Sequence, residues 1–216
     1  LRDEAPVHYC KDSEYGPYWS VTRYKDIMEI DGNWQDFSSE PAITIIEPEE
    51  DFPLPMFIAM DPPVHDEQRK TVQGSVAPAN LKLMEETIRS RTQQVLDDLP
   101  VGEQFDWVDK VSIELTTQML ATLFDFPFED RRKLTRWSDV ATGDEESGIV
   151  ESEEARQAEL YECLEYFTRL WHEREENDER NDLVSMLATG EATKDMSPQE
   201  YLGNLILPIV GGNDTT

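Results

Sequence analysis

Cysteine is nearly absent from this chain. Cys10 and Cys163 stand far apart, and neither a disulfide framework nor a zinc spacing can be built from them. Two unpaired thiols fit a reducing cytoplasm, the expected location. Basic residues are scarce as well. Nineteen Lys and Arg face forty-seven Asp and Glu, for a formal charge of −28. Such a surface repels nucleic acid and anionic lipid, so no nucleic-acid and no membrane partner is expected. Long apolar runs are also missing. The longest, in Leu205–Val210, falls far short of the about 20 residues that a membrane-spanning helix needs. The opening Leu1-Arg2-Asp3-Glu4 lacks the hydrophobic core of a signal peptide.

What the chain does have is a series of amphipathic helices, enough at 216 residues for one domain with a core. Trp19 to Thr22 alternates and predicts a short strand, followed by a helix over Arg23–Glu29 that ends near Asp31-Gly32. Apolar residues recur at helical spacing through Leu81, Met84, Ile88, Val95 and Leu99. A second stripe is Val111, Leu115, Met119 and Leu123, and a third is Leu134, Trp137 and Val140. A fourth, Leu160, Leu164, Phe167 and Trp171, lies in a long helix from about Ser152 to Glu175. Phe105 to Val108 reads as a short strand, and Leu183–Leu187 as a short helix. Ser197 with Glu200 forms a capping box for the last helix, with Pro198 at its first position. The fold class is mainly α with minor β, in a single domain without repeats or an internal linker.

Three segments interrupt this pattern. Residues 40–55 hold Pro41, Pro48, Pro53 and Pro55 together with Ile45, Phe52 and Leu54, and Met56 and Phe57 follow. An apolar loop of this length is either a pocket wall or a segment tucked onto the core. Next comes Asp61-Pro62-Pro63-Val64-His65-Asp66-Glu67-Gln68-Arg69. Asp61 suits an N-cap, the prolines suit the opening of a helix, and His65 and Arg69 lie four apart on one face. Alone, such a pair is most simply a solvated helix face. The third is Gly211-Gly212-Asn213-Asp214-Thr215-Thr216, which ends an apolar helix with two glycines, an acid and two hydroxyls. Glycine costs a helix about 1 kcal/mol against alanine, so a pair marks either a helix end or a place where something must come close.

The second and third segments together resemble the cytochrome P450 superfamily. Asp61 to Arg69 is similar to the family pattern Asp-Pro-Pro-x-His-x-x-x-Arg, and Gly211 to Thr216 to the oxygen-binding stretch of its long distal helix. The order of elements matches the family's helices B to I, so the resemblance covers essentially the whole chain and implies the distal half of the fold, truncated at both ends. It implies haem b, O2 as co-substrate, and NAD(P)H electrons delivered by a ferredoxin and its flavin-dependent reductase. His65 and Arg69 would grip the haem propionates. Gly211 and Gly212 would leave room for oxygen. Asp214 and Thr215 would deliver protons, with Asn213 a variable position and Thr216 helix support. Ile45, Phe52, Leu54, Met56, Phe57, Val140 and Val210 would line the substrate pocket.

The family's iron-ligating cysteine loop and its Glu-x-x-Arg pair are not in this sequence, and neither Cys10 nor Cys163 has the required neighbours. The chain on its own is therefore expected to be inactive and to lack the thiolate signature. Pro208 departs from the family pattern; it removes an amide bond and should kink the last helix at about 3 kcal/mol or more. In detail the two motifs look most like soluble bacterial P450s that hydroxylate the terminal carbon of medium-chain alkanes and fatty acids, with steroid or terpene hydroxylases as an alternative. A non-catalytic acidic all-α interaction domain is the alternative of another class. It gives no reason for the glycine-acid-alcohol break. A carboxylate-bridged metal enzyme would need Glu-x-x-His pairs, which Glu162, Glu165 and His172 do not provide.

Overall fold

The computed structural model describes residues 1–45, 52–143, 147–175 and 181–213. A hairpin comes first: β1 (Val7–Cys10) pairs antiparallel with β2 (Tyr18–Val21), with Tyr9 opposite Trp19 and their rings 4.9 Å apart. The sequence pattern pointed only to β2. In β1 the flanking charges hide a strand whose stability comes from the cross-strand pair. Helix α1 (Tyr24–Gly32) follows. Residues 52–56 have no regular structure and lead through a short turn of helix at Phe57–Ala59 to α2 (Val64–Val72).

The body is built from α3 (Pro78–Asp97), α4 (Glu114–Phe124), α5 (Arg132–Thr142), α6 (Glu153–His172), α7 (Leu183–Thr189) and α8 (Pro198–Asn213). Phe105 to Val108, expected as a strand, instead enters a wide π-helical turn, Val108–Ile113, that runs straight into α4. The apolar spacing there continues the α4 stripe, and the stripe prevails over the local strand propensity. Helix α4 ends on Asp125 in the left-handed conformation, with φ 47.

The core sits between α4, α5, α6 and α8. Leu134, Val140, Leu160, Phe167, Leu202, Leu205 and Ile209 are buried there, and Phe124, Phe126, Trp137 and Phe167 pack ring against ring at 5.4–6.1 Å. A buried ion pair ties α7 to this core. Arg174 donates to Asp182 at 2.8 Å and to the carbonyls of Phe124 and Asp125, while Asp182 also caps α7 by accepting from the Ser185 amide. Pro208 lies inside α8, and the helix continues through it to Asn213.

Two expected caps take other partners. Asp61 does not cap α2, whose N-cap position is Pro63. Its carboxylate instead accepts from the Ser39 amide at 3.1 Å, and bonds from the Ser38 hydroxyl and then this amide hold it below the usual carboxylate range. Ser197 accepts from the Glu200 amide at 3.2 Å, half of the capping box. The reciprocal half is not made, because the Glu200 side chain is taken by Gln68.

Candidate functional site

Most of the expected site residues lie among the described residues and can be placed. On α2, His65 bonds Asp66 through Nδ1 at 2.8 Å and lies beside Phe57, with ring centroids 6.2 Å apart. That leaves Nε2 for a second partner. Arg69, one turn on, is exposed, and its side chain makes no hydrogen bond or ion pair among the described residues. In a chain with this excess of acid, an unpaired guanidinium is available to a carboxylate from outside the chain.

The two glycines of α8 serve different ends. A Cβ on Gly211 would meet nothing within 4 Å, so this face of the helix looks onto open space. A Cβ on Gly212 would stand 2.5 Å from the Leu120 side chain, so this glycine lets α8 seat against α4. Asn213 is not a spectator. Its Nδ2 donates to the Leu134 carbonyl of α5 at 3.2 Å and to the Ile209 carbonyl at 3.1 Å, while its Oδ1 is buried without a partner. Asp214, Thr215 and Thr216 lie outside the described residues.

The expected pocket set divides. Leu54, Met56, Phe57 and Val210 are half-buried, and Ile45 is exposed. Phe52 and Val140 belong instead to the core, at 4% and 0% exposure; Phe52 sits edge-on to Tyr161 with centroids 5.1 Å apart. Their apolar character expresses packing, which sequence alone does not separate from pocket lining. Of the two cysteines, Cys163 is sealed in the same core, where burial pushes its thiol well up, and Cys10 is half-buried on the hairpin.

The polar groups that join these elements were not anticipated. Gln68 of α2 donates through Nε2 to Glu200 Oε1 at 2.6 Å, and its Oε1 accepts from Asn204 Nδ2 at 3.3 Å. Asn204 Oδ1 accepts the Phe57 amide at 2.9 Å. The only sequence signal was an asparagine inside an otherwise apolar helix stretch, a buried polar group that needs partners. The helix bearing His65 and Arg69 thus lies beside α8. Gly211 is seven residues beyond Asn204, about 10 Å further along the axis at 1.5 Å per residue. Among the described residues no helix is long and apolar enough to cross a membrane.

The chain was also compared with known proteins. No family model matches the chain. Among curated proteins it is 30% identical to linalool 8-monooxygenase from Pseudomonas putida over all of this chain and 56% of that protein. It is 27% identical to steroid C26-monooxygenase from Mycolicibacterium smegmatis over all of this chain and 53% of that one. Among solved structures it is 48% identical to CYP153D17 from a Sphingomonas species, with a TM-score of 0.86 over all of this chain and 55% of that chain. With cytochrome P450-153 from Novosphingobium aromaticivorans it shares 47% identity at a TM-score of 0.82, covering 99% and 54%. The chain spans about half the length of the relatives it matches.

Proposed function

Because the chain belongs to the cytochrome P450 family, we propose that it provides the oxygen-binding side of a haem-thiolate monooxygenase that inserts one oxygen atom of O2 into a C–H bond of a hydrophobic substrate. The observation that carries this reading is the bonding of α2, with His65 and Arg69, to the helix whose Gly211 faces open space. Haem b, when bound, would supply the activation of O2, with NAD(P)H electrons reaching it from a ferredoxin and a flavin-dependent reductase. This chain's residues fit that group in three respects. Arg69 offers an unpaired fork to one propionate, and His65 offers Nε2 to another. Gly211 keeps the adjoining space clear of side chains. Gly212 and Asn213 fix the end of α8 against α4 and α5. The Asp214 carboxylate and the Thr215 hydroxyl, the next two residues of the chain, would pass protons from solvent into that space.

For the substrate, terminal hydroxylation of medium-chain alkanes or fatty acids is the reading we carry forward. It rests on the likeness of the two motifs to soluble alkane-hydroxylating P450s, with Met56, Phe57 and Val210 as apolar lining. The likeness to a linalool and a steroid monooxygenase favours a second reading, a terpene or steroid substrate. The haem-loaded enzyme containing this chain separates the two when offered a medium-chain alkane, a linear terpene alcohol and a steroid in turn. Product from the alkane alone supports the first reading; product only from the others replaces it. In the same enzyme Arg69→Ala is expected to weaken haem binding about tenfold, the loss of one charge-assisted bond. Unchanged haem affinity would remove Arg69 from the site. Thr215→Ala is expected to lower the ratio of product formed to NAD(P)H consumed, and an unchanged ratio would remove Thr215 from the proton path.

A further inference from the structure

Segment 54–57 crosses α8 where no side chain fits. A Cβ on Gly203 would stand 2.1 Å from the Pro55 carbonyl oxygen and 2.9 Å from its carbon. One residue on, Asn204 accepts the Phe57 amide at 2.9 Å. A backbone N–H can only donate, so Asn204 must turn its oxygen toward Phe57 and its NH2 away. That NH2 lies 3.3 Å from Gln68 Oε1 and 3.6 Å from the Met196 sulfur. Gln68, with its oxygen engaged, presents its own NH2 to Glu200, whose carboxylate accepts at 2.6 Å. The relay is therefore fixed in sense from both ends, by a donor that cannot accept and a carboxylate that accepts. Asn204 and Gln68 are 2% and 4% exposed, so a broken link leaves a buried polar group unsatisfied.

We propose that Asn204 is a positioning residue. It sets the wall segment at Phe57 and, through Gln68, the face of α2 that carries His65 and Arg69, at a fixed place against α8. Residues 54–56 of the wall segment have no regular secondary structure, so the bond at Phe57 and the close approach at Gly203 locate them. The space in front of Gly211 then depends on a side chain two turns earlier on the same helix. The inference rests on the haem reading only for the purpose of those elements; the relay itself consists of bonds within this chain.

Amide hydrogen exchange of the chain, resolved at Phe57, tests it without haem. Asn204→Leu keeps the volume and removes the bonds to the Phe57 amide, to Gln68 and to the Met196 sulfur. The Phe57 amide is expected to exchange about tenfold faster, while the buried amide of Leu164 in α6 keeps its protection. Gln68→Glu leaves Asn204 in place but sets two carboxylates against each other, and is also expected to speed exchange at Phe57. Adding Glu200→Gln restores a donor at that junction, with the same net charge as the native relay, and should recover most of the protection. A purely steric role predicts no such recovery. Unchanged exchange at Phe57 in Asn204→Leu would overturn the proposal, as would equal loosening at Phe57 and Leu164. Should Asn204→Leu fail to fold, the Gln68 pair decides, and a double variant no better than Gln68→Glu overturns it. The exchange result can fail while the haem assignment stands, because it requires no cofactor.

Discussion

Helix α8 buries Tyr201, Leu202, Leu205, Ile206 and Ile209 among α4, α5 and α6, whereas α3, with 20 residues against 16, buries only Val95. Both helices have an apolar stripe. On α3 Leu81, Ile88 and Leu96 are exposed, and Leu83 stands 79% exposed nearby. The hairpin and α1 resemble α3 in this respect: Trp19 and Tyr24 are exposed, and α1 buries nothing. Periodicity identifies a face suited to burial but not the surface that covers it. Around α8 the covering surface lies within the described residues; around α3 it does not.

The comparison can be broken hardest at the joint that fastens α7 to the α8 core. Asp182→Ala removes the acid that pairs with the buried Arg174 and caps α7. Arg174 would keep two carbonyls and the exposed Asp125 carboxylate at 3.6 Å but lose its buried acid, which should cost about 3 kcal/mol, visible as a large fall in the urea midpoint. Within the core itself, Leu205→Ala should cost about 2–5 kcal/mol by lost burial and a residual cavity. If either change were as mild as a surface substitution, the core would not be the centre of stability that its packing implies.

The pH dependence sharpens the same contrast, because the strongly raised tyrosines belong to the core side. Burial first, then the hydrogen bond to Asp130, pushes the Tyr166 hydroxyl up to about 12. Tyr201, whose hydroxyl donates to the Phe167 carbonyl, is raised well above its ordinary value by burial. Between the unfolded value near 10 and the folded value, the folded state holds a proton that the unfolded state has lost. The stability due to these hydroxyls is thus complete below about pH 10 and falls as pH rises toward the folded value. Tyr166→Phe should flatten the decline in urea midpoint above about pH 10. An equal decline in both proteins would assign it to other groups.

How much of this was legible beforehand follows the same division. The helices of the body were visible because their stripes are long and their caps chemical: Ser152 accepts from the Ala155 amide, and Pro198 opens α8, as their positions imply. Strand β1 was not visible, since its stability lies in a partner strand, Tyr18–Val21, beyond an intervening turn. At the site, His65, Arg69 and Gly211 could be singled out by residue type and spacing. Gly212 could not be separated from Gly211, because only the third dimension shows that one faces space and the other Leu120. Phe52 and Val140 were misplaced for the same reason, since apolar residues suit a core and a pocket equally. Gln68 and Asn204 carry no motif, and their bonds join residues 132 or more positions apart.

The smallest expected effect lies on α3. Leu83→Ala removes a large apolar side chain, which in a core would cost about 2–5 kcal/mol. Here the side chain already meets water, so little burial is lost, and alanine is the better helix former by a small margin. The expected change in the chain is within about 0.5 kcal/mol in either direction. A full core-sized loss would mean that Leu83 is covered in solution, by another copy or by residues outside the described ones. Repeating the urea titration across a range of protein concentrations separates those cases, because burial between copies makes the midpoint rise with concentration and burial within one chain does not. A null result at Leu83 beside a large one at Leu205 would establish that the same residue type on two helices differs in stability through what lies against it.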